Sequence, residues 1–236
     1  MKLLYQHDAY LKEIETLIES ADDVRNAVTF AETIVYPGGG GQPFDIGNFE
    51  CNGEPYSITR TEKTDAGFHY ILDKTPPPAG SAVRLVIDWE RRYALMRTHT
   101  AMHILCGVIW RDYKKAVTGG NMDVLKARMD FEFEGFSAEL SAEIEAKINE
   151  EAALGRDVRV EFLKEGDDLN GLIRTKENLI PAGVEQVRLI NIAGLDVQAD
   201  GGTHVKNTKE VGTIHITGFE NKGRINKRIK VEIHEV

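Results

Sequence analysis

The sequence predicts an α+β fold in two parts: a small β-barrel-like N-terminal domain over residues 1–86 and an α+β domain over residues 87–236. Three observations point there. Before "LDKTPPPAGSAV" the chain is a series of short β-rich runs separated by turn signals. Within that stretch Pro76, Pro77 and Pro78 can continue neither a helix nor a central strand, which places a boundary near Val86. Beyond it, helical and strand patterns mix without a regular βαβ alternation, which favours α+β over a doubly wound sheet.

The elements follow in order. "LKEIETLIES" has apolar spacing compatible with a helix. "NAVTFAETIVYPG", "GNFEC", "YSITRTEK", "FHYILD" and "SAVRLVID" read as strands of a small barrel or sandwich. A long helix is expected from Trp89 to about Tyr113, with Asp88 as its N-cap. A second, from about Ala138 to Leu154, carries Leu140, Ile144 and Ile148 on one stripe. Ser137 caps its start and Gly155 its exit. "ARMDFEF", "DVRVEFL", "VRLINIA", "TIHITGF" and "IKVEIHEV" alternate as strands.

Composition narrows the class. A formal charge of −9 argues against a general nucleic-acid binder, so no DNA partner is expected. No apolar run approaches the roughly 18 residues of a membrane span, and the N-terminus lacks the apolar core of a signal peptide. The only two cysteines, Cys51 and Cys106, have neither metal nor redox spacing. A cytoplasmic protein with no membrane partner is the expectation, monomeric rather than oligomeric. Charge is uneven, however. Lys206, Lys209, Lys222, Arg224, Lys227, Arg228 and Lys230 face only Glu210 and Glu220 between Val205 and Lys230. That run is either a solvated face or a phosphate-binding strip.

Three motifs carry candidate chemistry. "MRTHTAMHIL" sets His99 and His103 four residues apart, on one helical face, where two imidazoles can meet one ion. No glutamate follows His99, so this is not the zinc-protease pattern. Alone the pair is weak evidence, and packing or surface histidines are the commoner reading. Cys106 lies about 10.5 Å along the helix from His99, too far to share its ion, and reads as core. "ADGGTH" places Asp200 and His204 around Gly201 and Gly202, a turn that can bring carboxylate and imidazole to one point. Ordinary turn chemistry explains that stretch equally well. "YPGGGGQPFDIG" offers backbone amides without side chains, but no GK[ST] follows, which excludes a Walker loop and leaves a flexible surface turn as the alternative.

Taken in order, "YPGGGGQP", "HTAMH" and "GGTHVKNTKEVG" resemble the alanyl-tRNA editing proteins, the AlaX group of medium-length type, over nearly the whole chain. These are free-standing relatives of the editing domain of alanyl-tRNA synthetase. The resemblance implies a synthetase second-additional-domain type of editing fold behind the barrel. It also implies hydrolysis, in trans, of the ester of wrongly charged tRNA(Ala), the seryl and often the glycyl form. The acceptor end of that tRNA is the implied partner. One zinc ion is implied, held by HxxxH and a later CxxxH. Carried over, His99, His103 and His204 become ligands, and Asp200 stands where the family usually has cysteine. Gly39, Gly40, Gly41 and Gln42 fall beside the editing pocket, with Thr203 and Lys206 as further substrate contacts. Thr118 matches a threonine that recognises the serine hydroxyl, and Gln42 and Thr118 are the candidate catalytic residues. The oxygen donor of Asp200 is harder than a thiolate, which opens the site to divalent ions other than zinc. The rival readings are a metal-dependent hydrolase of a small-molecule ester or amide, a non-catalytic zinc-containing tRNA-binding module, and a relative of the threonyl-tRNA synthetase editing region.

Overall fold

The computed structural model describes residues 1–64, 67–164, 172, 174, 186–223 and 225–235. Its elements are, in order, β1 (Lys2–Leu3), β2 (Glu13–Asp22), β3 (Ala27–Phe30), β4 (Glu32–Thr33), β5 (Gly47–Cys51), β6 (Glu54–Thr64), β7 (Gly67–Leu72) and β8 (Ala82–Ile87). Then come α1 (Trp89–Tyr113), β9 (Val117–Asp123), β10 (Lys126–Phe131), α2 (Ala138–Ala153), β11 (Val158–Lys164), β12 (Gln186–Ile192), β13 (Asp196–Ala199), β14 (Thr213–Asn221) and β15 (Lys227–His234). The chain divides into two compact units, Met1–Gly39 with Pro43–Tyr93, and Gly40–Gln42 with Ala94–Val236. Helix α1 therefore begins in the first unit and continues through the second. No described helix is long and apolar enough to cross a membrane.

The first unit is a closed barrel of strand order β2-β3-β7-β6-β5-β8. Alternation along the strands fills it: in β8, Val83, Leu85 and Ile87 are buried while Ala82 and Arg84 are exposed. Ile18, Val28, Phe30, Phe49, Tyr70 and Leu85 form the core. Phe30 meets Phe49 edge-on at 5.6 Å, and Phe49 stacks on Tyr56 at 4.9 Å. The helical expectation for "LKEIETLIES" is corrected, because this segment lies in and just before strand β2. Its buried positions are Thr16 and Ile18, two apart, and Leu17 points to solvent. Pairing with β3 on one edge and β8 on the other overrides the local spacing.

A buried ion pair closes the base of the glycine loop in this unit. Asp45 and Arg92 are both fully buried and bonded to each other. Arg92 also donates to the carbonyls of Ala9 and Ile34, at 2.9 and 2.6 Å. Asp45 Oδ2 accepts from Tyr36 N at 2.6 Å, and Asp45 N donates to Tyr36 O at 3.0 Å. The pair is thus hydrogen-bonded on both sides, the condition under which buried charge is tolerated.

The second unit holds a four-stranded sheet, β14-β15-β10-β9, and a three-stranded sheet, β11-β12-β13. Over its length α1 buries Leu95, Met96, Ile104, Leu105, Val108 and Ile109. The caps fall where the sequence places them: Asp88 Oδ1 accepts from Arg91 N at 3.1 Å, and Ser137 Oγ from Leu140 N at 3.2 Å. Asn149 of α2 bonds both backbone groups of Ile214, donating to O at 2.7 Å and accepting from N at 2.8 Å. That fastens the helix to edge strand β14. Strands β9 and β13 had no signal of their own. Cys106 is buried in the core and its thiol is pushed up by burial, so it is inert.

Four cations of the basic run are engaged within the chain. Arg228 makes two parallel 2.8 Å bonds to Asp130, and Lys222 and Lys230 both pair with Glu220. Lys227 is buried, with Nζ donating to Gly223 O at 3.0 Å. Arg224 lies outside the described residues.

Candidate metal centre

The second unit brings His99, His103, Asp200 and His204 together, with one ligand atom from each lying within 4.8 Å of the others. The two helical histidines come from one face of α1, one turn apart. Asp200 and His204 come from the loop after β13. Its backbone is pinned to β12: Asp200 N donates to Arg188 O at 3.1 Å, and Arg188 Nη1 donates to Asp200 O at 2.9 Å. Asp200 Oδ1 accepts from Gly202 N at 2.6 Å, an Asx-type turn that folds the chain back toward His204.

All three Nε2 atoms face the Asp200 carboxylate, His204 at 3.0 Å, His99 at 3.5 Å and His103 at 3.9 Å. Tetrahedral zinc with bonds of about 2.0–2.1 Å sets donor atoms about 3.3 Å apart, so small shifts of these side chains suffice. The opposite ring nitrogens of His99 and His204 are hydrogen-bonded outside the cluster. His99 Nδ1 lies 2.9 Å from Gln42 Oε1, and His204 Nδ1 lies 3.3 Å from Thr100 Oγ1. Thr100 Oγ1 also accepts from Val205 N at 3.2 Å. Outer partners of this kind hold metal-binding imidazoles with Nε2 turned inward.

The electrostatics agree. Burial pushes His99 down to about 4, against the pull of Asp200. Burial likewise holds His204 well below its ordinary value, helped by the neighbouring His99. Burial alone would raise Asp200, but His99, His103 and His204 outweigh it and hold the carboxyl well below the usual range. At neutral pH the site therefore presents neutral imidazoles at His99 and His204 beside a carboxylate, the protonation states that a divalent ion requires.

Gly202 is where the packing is tightest. A Cβ there would lie 2.5 Å from His99 Nδ1 and 2.7 Å from Gln42 Oε1. Gly202→Ala is expected to displace His99, costing about 1–3 kcal/mol and lowering metal affinity at least about tenfold. Chelator competition checks this, and an unchanged affinity would contradict it.

The other sequence candidates are placed as follows. Gln42 and Thr203 are buried and bonded to each other. The glycine run has positive φ at Gly38, Gly39, Gly40 and Gly41, from 57° to 136°, a backbone closed to ordinary side chains. Gly39 and Gly40 are exposed, while Gly41 O accepts from Met122 N of β9 at 3.1 Å. Thr118 is exposed on β9 and donates to Asn226 Oδ1 at 2.7 Å. Lys206 is exposed, two residues beyond His204. Sequence reasoning missed Thr100 and Arg188. A threonine between two helical histidines gives no signal of its own, and Arg188 reads as an ordinary strand residue.

Residues 187–230 match the family model of the threonyl and alanyl tRNA synthetase second additional domain. The alanyl-tRNA editing protein AlaX-M of Saccharolobus solfataricus is 35% identical over 233 residues, covering 96% of each chain. That of Methanosarcina barkeri is 32% identical over 234 residues, again 96% of each. An alanine–tRNA ligase of Pyrococcus furiosus is 34% identical over 93% of this chain but only 24% of its own length. On identity and coverage along its whole length, the chain belongs to the alanyl-tRNA editing protein family, AlaX-M type.

Proposed function

We propose that the chain hydrolyses the ester of mischarged tRNA(Ala), the seryl form and also the glycyl form, in a pocket built on His99, His103, Asp200 and His204. One observation carries the reading: three imidazole nitrogens and a carboxylate converge at a single point, with the outer nitrogens of His99 and His204 already hydrogen-bonded. Family membership supplies the substrate class.

Zinc fits this donor set, and His99, His103, Asp200 and His204 would hold it. When bound, such an ion can polarise a carbonyl or lower the pKa of a water to about 7. The chain's own residues do the rest. Backbone amides of Gly40 and Gly41, in the same unit as the four ligands, carry no side chains and can approach the ester closely. Lys206, exposed two residues beyond His204, supplies a contact to the tRNA terminus. Thr118 reads the serine hydroxyl, which requires its bond to Asn226 to be exchanged for one to substrate. A site built to hydrogen-bond that hydroxyl rejects the alanyl ester lacking it.

Four converging donors also fit a second reading, in which the metal is closed off and the chain binds tRNA without cleaving it. Turnover of seryl-tRNA(Ala) decides between them. Asp200 also bears on the identity of the ion. Its hard oxygen in place of a thiolate is expected to broaden the choice of divalent ion. Asp200→Cys is expected to tighten zinc about tenfold or more relative to Mn²⁺. Competition titration of the two ions checks this, and an unchanged ratio would exclude direct ligation by Asp200.

A further inference from the structure

We propose that Gln42 is a positioning residue for the metal centre. Its carboxamide fixes the tautomer and direction of His99, and so ties metal affinity to the seating of the glycine loop. This rests on the metal-site reading given above.

The hydrogen bonds determine the geometry without ambiguity. Thr203 N can only donate, and it meets Gln42 Oε1 at 3.0 Å. That assigns the oxygen of the amide. Gln42 Nε2 then donates to Thr203 Oγ1 at 2.8 Å. The same Oε1 meets His99 Nδ1 at 2.9 Å. Since this oxygen only accepts, Nδ1 must carry the imidazole proton, and the lone pair is left on Nε2 facing Asp200. Gln42 therefore selects the tautomer that can ligate. Its carboxamide is bonded at both ends and is buried, so it is a strut rather than a free group waiting for water.

Two features make the strut specific. Gly202 packs against both partners of the His99–Gln42 bond and leaves no room for a Cβ beside it. Gly41, directly before Gln42, is held by Met122 N on β9, and a Cβ there would meet Gly120 O at 3.2 Å. The glycine loop therefore ends on a fixed strand, and its last side chain reaches His99. Loop seating and ligand orientation are parts of one hydrogen-bonded chain, Gly41–Gln42–His99.

The test uses the full chain and three variants, Gln42→Leu, Gln42→Glu and Thr203→Val. Zn²⁺ affinity is read by chelator competition, Co²⁺ binding by its visible absorption, and the His99 tautomer in metal-free protein by ¹⁵N NMR. Gln42→Leu is expected to weaken both ions about 10–100-fold, to alter the Co²⁺ spectrum and to release His99 to the Nε2–H tautomer. Gln42→Glu keeps an acceptor at Oε1 and is expected to stay within about threefold of the parent and keep the Nδ1–H tautomer. Thr203→Val removes one anchor of the amide and is expected to fall between them. A merely structural role would lower thermal stability in all three and leave the Co²⁺ spectrum and the tautomer unchanged, which would overturn the proposal. So would Gln42→Leu affinities within twofold of the parent. A chain that shows the expected metal pattern yet cleaves no seryl-tRNA(Ala) refutes the proposed function and leaves the role of Gln42 standing.

Discussion

Replacing His99 and His204 together with alanine is expected to abolish metal binding and to cut deacylation of seryl-tRNA(Ala) by at least about 100-fold, with the fold retained. The two residues come from different elements, α1 and the loop after β13, so the double change takes a ligand from each half of the site. What remains is His103 and Asp200, 3.9 Å apart, too few donors for a tight divalent site. Retention of the fold follows from what the two rings touch. Each makes one outer hydrogen bond, to Gln42 or Thr100, and the rings pack on each other and on His103. Neither belongs to the barrel core. Metal content by elemental analysis and initial rates on seryl-tRNA(Ala) check the two parts separately. Full activity in the double variant would sink the metal-site claim.

Asp45→Ala is expected to destabilise the chain by about 3–5 kcal/mol, the usual cost of leaving one member of a buried ion pair without its partner. Arg92 would keep its two carbonyl acceptors but would hold an uncompensated charge at a fully buried position. Tyr36 N would also lose its acceptor, and with it the clasp at the base of the glycine loop. Urea unfolding of the parent and variant checks the magnitude. The paired change Asp45→Leu with Arg92→Met is expected to recover much of the loss, because neither charge is then left buried alone. A loss below about 1 kcal/mol for Asp45→Ala would contradict this account.

How much of this was legible depended on how local each cause was. Helix α1 and helix α2 were readable because caps, period and length act within one stretch: Asp88 and Ser137 bond amides three residues on. Strand β2 was not, since Ile14, Leu17 and Ile18 suit a helical stripe and only pairing with β3 and β8 decides otherwise. "VTGGNMD" carries two glycines and an asparagine, poor strand formers, yet it is strand β9 because β10 pairs with it. The pairing within the basic run was not legible, because Asp130, which pairs with Arg228, is 98 residues away in sequence. At the site, the four candidate ligands and their spacing were visible as two separate motifs, and their meeting needed the fold. The role of Gln42 was not visible, since its partner Thr203 is 161 residues distant.

The measurement that bears most directly on the whole account is a deacylation panel of seryl-, glycyl- and alanyl-tRNA(Ala), run with and without chelator and with metal restored. The account predicts rapid loss of serine and glycine, sparing of alanine, abolition of activity by the chelator and its recovery with a divalent ion. Seryl-tRNA(Ala) left intact by the metal-replete chain, or hydrolysed at the same rate after complete metal removal, would contradict it.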